Sequence, residues 1–162
     1  AFGYNEATLT GLESGVDYFA WVYTFSTEGD KVYSNMVALL PPVYVKAGDD
    51  LQAKIDGAKQ YQTIMVQGGI TFMSPKGGFQ LGGNNVNKSV SGGWNAAFTK
   101  QSFDNLTVID GGDKNYGFWC ANADDSDLKG YSKVSFFEFV RCAGNNGVAV
   151  HVCGGPVTIS NC

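Results

Sequence analysis

Five short stretches of the chain end alike: TIMVQGG (63–69), KSVSGG (88–93), LTVIDGG (106–112), FEFVRCAG (137–144) and VTISNC (157–162). Each carries apolar alternation, then a polar or charged residue, then a turn at glycine or another small residue. Alternation of period two marks a strand with one buried face. The ends recur about 20 to 30 residues apart, within the range of solenoid repeats. Second short strands, YGFWCAN (116–122) and NGVAVHV (146–152), align on Gly117 and Gly147. Each repeat therefore holds at least two strands joined by glycine or asparagine turns. No helical pattern separates them, which excludes helical crossovers. One such unit cannot bury its apolar face, whereas a stack of units can. The stack predicts a continuous core containing Leu106, Val108, Phe137, Phe139, Val157 and Ile159.

A stack exposes apolar core and unpaired strand edges at its first unit, so that unit needs a cap. The stretch AGDDLQAKIDGAKQYQTIMVQGG (47–69) supplies one. Asp50 suits a helix N-cap, and Leu51, Ile55 and Ala58 then share one helical face. A buried strand, Thr63-Ile64-Met65-Val66, follows at once and closes on Gly68-Gly69. The reading is a short cap helix near 50–58 laid over the first strand.

Residues 1–40 have another texture. ATLTGLESGVDYFAWVYTF (7–25) reads as a short strand, a turn at Glu13-Ser14-Gly15 and a long alternating strand. In that strand Tyr18, Ala20, Val22 and Thr24 share one face, and Phe19, Trp21, Tyr23 and Phe25 the other. TEGDKVYSNMVALL (27–40) reads as a turn and a last strand. Pro41-Pro42 favours a stiff, extended spacer. The expected organisation is thus a partial β-sandwich at 1–40, a proline linker at 41–44, and stacked coils over 45–162.

Composition narrows the function classes. Glycine is abundant, at 22 of 162 residues, which suits a β-rich chain with many tight turns. The net charge of −4 and the lack of a basic stripe argue against nucleic acid. No apolar run approaches the roughly 20 residues that span a bilayer. The chain begins at Ala1, without Met, and reads as a piece of a longer protein, so the lack of a visible signal peptide says nothing about export. Cys120, Cys142, Cys153 and Cys162 show no CxxC spacing, and His151 is the single histidine, so a zinc site is not expected. Disulfides and buried free thiols both remain open on this inventory.

Two resemblances follow from these residues. Leu12, Gly15 and Tyr18, the alternation through Val22, then Gly29 and Ser34, resemble the C-terminal part of a fibronectin type III domain over about 35 residues. That implies a tyrosine packed at a corner and alternate residues in a sandwich core. The strands before Ala7 are missing, so three strands alone leave a core face bare. The stretch VYVKAGDDLQAKIDGAKQYQTIMVQGGITF (43–72) resembles the N-terminal cap and first coil of right-handed parallel β-helix proteins of the pectate-lyase-like superfamily. The carrying residues are Gly48-Asp49-Asp50-Leu51-Gln52-Ala53, Ile55, Ala58, Thr63-Ile64-Met65-Val66 and Gly68-Gly69. SGGWNAAF (91–98) followed by LTVIDGG also resembles early coils of β-helix surface proteins from Bacteroidota-type bacteria. The likeness covers about 120 residues and implies an all-β, right-handed parallel β-helix. It says little about function, because that fold hosts many.

Many members of that superfamily are polysaccharide lyases or hydrolases that use calcium, acidic ligands and a Lys or Arg base on the outer face of one sheet. No such motif matches here residue by residue. The nearest set is Asp110, Glu138 and Arg141. With the repeats in register, Asp110, Arg141 and Asn161 hold equivalent places, and Thr107, Glu138 and Thr158 form a row three positions earlier. A carboxylate beside an arginine serves catalysis or sugar binding in some proteins; the ordinary reading, a surface ion pair, is preferred. Asp124, Asp125 and Asp127 offer oxygens of the kind calcium takes, but lack EF-hand spacing, and read as a solvated insertion. The aromatic row Phe19, Trp21, Tyr23 and Phe25 reads as a face for packing against another segment, with a binding platform as the alternative. His151 reads as a surface or turn histidine. Cys142 and Cys162 share a repeat position, which predicts a stack of thiols.

These residues lead to an extracellular or cell-surface protein whose fibronectin-like module precedes a β-helix used for binding, adhesion or as a stalk. Its partners would be polysaccharide or other surface proteins, with no cofactor and no enzymatic activity in this segment alone. The alternative is a polysaccharide lyase or hydrolase with catalytic coils beyond Cys162.

Overall fold

The computed structural model describes residues 8–13, 16–21, 23–25, 29, 31–33, 37–83, 87–121, 132–143, 148–153 and 157–162. The chain separates into two compact units, Ala1–Pro41 and Pro42–Cys162.

Among its described residues the first unit contains four short strands, β1 (Tyr18–Ala20), β2 (Tyr23–Phe25), β3 (Lys31–Tyr33) and β4 (Val37–Leu39). β1 pairs antiparallel with β4, and β2 with β3. The single long strand expected over 18–25 is therefore two strands with different partners. Residues 8–13, expected to begin with a short strand, carry none. The Val16 N–H donates to the Glu13 carbonyl at 3.4 Å, and Ser14 and Gly15 of the expected turn lie outside the described residues. The Tyr18 hydroxyl oxygen accepts from the Glu13 N–H at 2.9 Å.

The second unit is built from parallel strands in three sheets. The first sheet holds β5 (Val43–Val45), β6 (Thr63–Gln67), β9 (Ser89–Trp94), β12 (Ser132–Ser135) and β15 (Val157–Ser160), side by side in that order. The second holds β7 (Thr71–Met73), β10 (Thr107–Asp110) and β13 (Phe137–Val140). The third holds β8 (Phe79–Gln80), β11 (Phe118–Ala121) and β14 (Val150–Cys153). From β6 onward the chain visits first, second and third sheet in rotation, and each return lands beside the previous strand of that sheet.

Register carries apolar residues into ladders. Val43, Ile64, Val90, Val134 and Ile159 are successive partners across the first sheet. Phe72, Ile109 and Phe139 are partners across the second, and Phe79, Phe118 and Val150 across the third. Ile64, Val90, Ile109, Phe118, Val134 and Phe137 are fully buried. The rings of Phe79 and Phe118 lie 5.7 Å apart, and those of Phe118 and Phe137 meet edge-on at 5.3 Å. Each rung stacks like on like, as a continuous core requires.

Four sequence expectations shift against this register. The five similar stretches belong to two sheets: those at 63–69, 88–93 and 157–162 contribute to the first, those at 106–112 and 137–144 to the second. Within LTVIDGG the fully buried residues are Thr107 and Ile109, while Leu106 and Val108 are only half-buried. Thr107 faces inward because its hydroxyl is satisfied there: it donates to the Gln67 carbonyl at 3.0 Å and accepts from the Gly93 N–H at 3.0 Å. Phe118 pairs with Val150, so Gly117 meets Ala149 rather than Gly147. Cys142 and Cys162 follow strands of different sheets and form no stack on one sheet; all four cysteines are free.

The first rung is covered by α1 (Leu51–Gly57). Asp50 is its N-cap, with Oδ1 accepting from the Ala53 N–H at 3.0 Å. Leu51, Ile55 and Ala58 are buried against the apolar cluster that includes Ile64 and Val66. The strand after the helix ends on glycines for a steric reason. A Cβ on Gly68 would lie 1.8 Å from the Asn105 carbonyl oxygen, and Gly69 has φ +69°, the left-handed region. The chain turns there because the next circuit passes against it.

Candidate functional site

Asp110 ends β10 and Arg141 follows β13, so the two turns lie one above the other. The register partner of Asp110 is Val140, which places Arg141 one residue beyond it. Arg141 adopts φ +47°, which turns the chain at the strand end. Its guanidinium grips both carboxylate oxygens of Asp110: Nε donates to Oδ1 at 3.0 Å and Nη2 donates to Oδ2. Oδ1 also accepts from the Gly112 N–H at 2.9 Å, and Arg141 Nη1 stands 4.0 Å from Asp113 Oδ2. The Arg141 hydrogen bond, with that of Gly112, holds the Asp110 carboxyl below the usual carboxylate range. A carboxylate committed at both oxygens and kept ionised is a poor proton acceptor, and its chemistry here is to tie two turns together.

The other members of the expected set are placed elsewhere. Glu138 pairs with Val108 on the outer face of the second sheet and is exposed. Thr158 pairs with Lys133 and Asn161 follows β15, both belonging to the first sheet. The rows Asp110–Arg141–Asn161 and Thr107–Glu138–Thr158 are therefore not formed. Period-two alternation marks a face as buried but does not say which of three sheets a strand joins. Phe19 and Trp21 are exposed, at 47% and 56%. Tyr23 and Phe25 pair through their backbones with Tyr33 and Lys31, and their side chains lie outside what is described. Asp124, Asp125 and Asp127 also lie outside the described residues. Among the described residues, no three His, Cys, Asp or Glu gather as a metal site. Nor, among them, is any helix long and apolar enough to cross a membrane.

The outer face of the third sheet gathers side chains that the sequence reading kept apart. Gln80, Trp119 and His151 are register partners on successive strands. Their neighbours Phe118 and Cys120 are buried, so this row faces outward, and Trp119 is exposed. His151 lies on β14 rather than in a turn. Its ring packs on Tyr116 with centroids 5.0 Å apart, and its Nε2 is 2.7 Å from Cys153 Sγ. The VHVC stretch already carried the signal: residues two apart on a strand share a face.

Two further residues escaped sequence reasoning and both serve the cap. The Gln52 Oε1 accepts the Gln80 N–H at 2.7 Å, so a side-chain amide covers the edge of β8 where a strand would otherwise pair. Lys88 is buried and its Nζ donates to the Ile55 carbonyl at 2.7 Å, at the C-terminal turn of α1. Burial pushes the Lys88 ammonium below its ordinary range, with Asp56 opposing. Along β7, by contrast, the described residues supply no strand beyond it, and a groove lined by Gly48, Asp49, Thr71 and Met73 runs there.

No family model matches the chain, and neither curated proteins nor solved structures provide a match.

Proposed function

We propose that the second unit is the capped beginning of a right-handed parallel β-helix of the pectate-lyase-like kind, belonging to an extracellular or cell-surface protein and serving as a binding or adhesion stalk. The observation that carries this reading is the three-sheet rotation with uninterrupted inward ladders. Such a column presents its outward side chains at the strand spacing of about 4.8 Å, a regular surface for an extended partner. Trp119, flanked by Gln80 and His151, is the part of that surface suited to a polysaccharide: an apolar ring beside hydrogen-bonding side chains. The first unit is read as the end of a fibronectin type III-like module, supported by the Tyr18 hydroxyl reaching back to the Glu13 backbone at a corner.

Arg141 occupying both Asp110 oxygens favours binding over catalysis at the one acid–base pair the sequence singles out. The test is to incubate the intact chain with acidic and neutral polysaccharides and follow both retention and product. Retention that weakens in Trp119→Ala, with no product, supports the reading. Product formation that vanishes in Glu138→Ala or Arg141→Ala overturns it in favour of a lyase or hydrolase.

A further inference from the structure

We infer that His151 and Cys153 form an imidazole-assisted thiol on the outer face of the third sheet, a modification site that takes a small disulfide and becomes a mixed disulfide. The two side chains project from the same face of β14, and Nε2 and Sγ are 2.7 Å apart. Tyr116 packs on the imidazole ring and holds its plane. Cys153 is exposed, so a disulfide in solution reaches its sulfur.

The other three cysteines provide the contrast. Cys120 is buried, and burial pushes its thiol up to about 12. Cys142 is half-buried, its Sγ directed at the Val140 carbonyl at 3.5 Å, and burial again raises it. Cys162 is exposed, but its Sγ donates to the Ser160 carbonyl at 3.3 Å rather than to an imidazole. The thiolate is the nucleophile in disulfide exchange, and a free thiol at neutral pH is only a few per cent thiolate. A neighbouring base therefore decides which of two exposed cysteines reacts.

The step balances without an outside oxidant other than the disulfide. Nε2 takes the thiol proton, and the Cys153 sulfur attacks one sulfur of the disulfide. A new S–S bond forms at Cys153 as the old one breaks. The departing half leaves with the bonding pair as a thiolate and collects the proton from His151. Cys153 is oxidised and the released half is reduced.

The experiment uses the intact chain under native conditions with a small aromatic disulfide, acid quenching, and mapping of modified cysteines by peptide mass spectrometry. Cys153 is expected to react about tenfold faster than Cys162. In His151→Gln, which keeps a planar polar side chain but no comparable base, Cys153 falls to the Cys162 rate while Cys162 is unchanged. Circular dichroism of both proteins establishes that they are equally folded. Equal rates at Cys153 and Cys162 in the native chain, or an unchanged Cys153 rate in folded His151→Gln, overturns the inference.

Discussion

Phe19 and Trp21 in the first unit are 47% and 56% exposed, whereas Ile64, Val90 and Val134 in the second are fully buried, although both runs of sequence alternate. The first unit pairs its strands two by two and antiparallel, through partners at most about twenty residues away. Leu9, Leu12, Val16 and Leu39 are exposed alongside those aromatics. The second unit returns each strand to the same sheet one circuit later, so inward apolar side chains such as Ile64, Val90 and Val134 meet one another. Alternation alone makes hairpins. Repetition at the period of a circuit turns alternation into a core, because apolar area leaves water only where a second layer covers it.

If close stacking of circuits is what sets the second unit apart, its tightest approach should be its most sensitive point. Gly68→Ala brings a Cβ to 1.8 Å from a backbone oxygen of Asn105, which has no freedom to yield. The expected loss is more than about 3 kcal/mol, enough to abolish cooperative melting in a marginal domain. Gly57→Ala, where an added Cβ meets nothing within 4 Å, should be neutral or stabilising by less than about 1 kcal/mol. Thermal melts of both variants decide it; a Gly68→Ala protein that melts with the native chain would mean the circuits are not packed as described.

The cap comes next in size. Leu51 and Ile55 are the buried residues of α1, and truncation of such residues typically costs about 2–5 kcal/mol. Leu51→Ala and Ile55→Ala should therefore lower the melting temperature clearly and promote association through uncovered strand edges. Lys59→Ala, exposed, and Lys54→Ala, half-buried with its Nζ 3.7 Å from Asp49 Oδ2, should stay within about 0.5 kcal/mol. A Leu51→Ala protein that melts with the lysine variants would show that the helix covers nothing.

The same contrast explains what was legible in the sequence. Asp50, Leu51 and Ile55 announce the cap because capping and helical spacing are local, and the structure keeps all three roles. The parallel, β-rich character was legible for a similar reason, since repeated alternation without helices leaves few alternatives. Sheet membership was not. FEFV and VTIS look alike, yet one pairs with β10 and the other with β12. Thr107 was passed over for the core because a hydroxyl counts as polar until its backbone partners are known. Gln52 and Lys88 act across 28 and 33 positions, a distance at which no motif links them to Gln80 and Ile55. Of the candidate site, the Asp110–Arg141 contact was anticipated as an ion pair, but its register and the position of Glu138 were not.

A smaller effect tests whether that ion pair ties turns or merely decorates them. The Asp110 carboxyl is held below its ordinary range by Arg141, so its contribution to stability is present above the unfolded carboxylate value of about 3.9 and is lost as pH falls through the lower folded value. Melts of the native chain and Arg141→Gln at neutral pH and near pH 3 should show the native chain ahead at neutral pH and the gap closing in acid. A gap of the same size at both pH values would assign the effect of Arg141 to packing instead of charge.

The smallest expected effect lies in the first unit. Phe19 and Trp21 make exposed surface, so truncating them removes little that folding has taken from water. Phe19→Ala and Trp21→Ala should each change stability by less than about 0.5 kcal/mol, in contrast to Leu51→Ala in the same chain. The measurement is chemical denaturation followed by the fluorescence of the remaining tryptophans, with the slope as well as the midpoint recorded. A midpoint loss comparable to that of Leu51→Ala would mean that these rings are covered in solution, and the contrast between an open first unit and a closed second one would fail. An unchanged midpoint together with weaker retention on polysaccharide in Trp21→Ala would instead make the exposed aromatic face a contact surface, which is the use a face of large rings has when it is not part of a core.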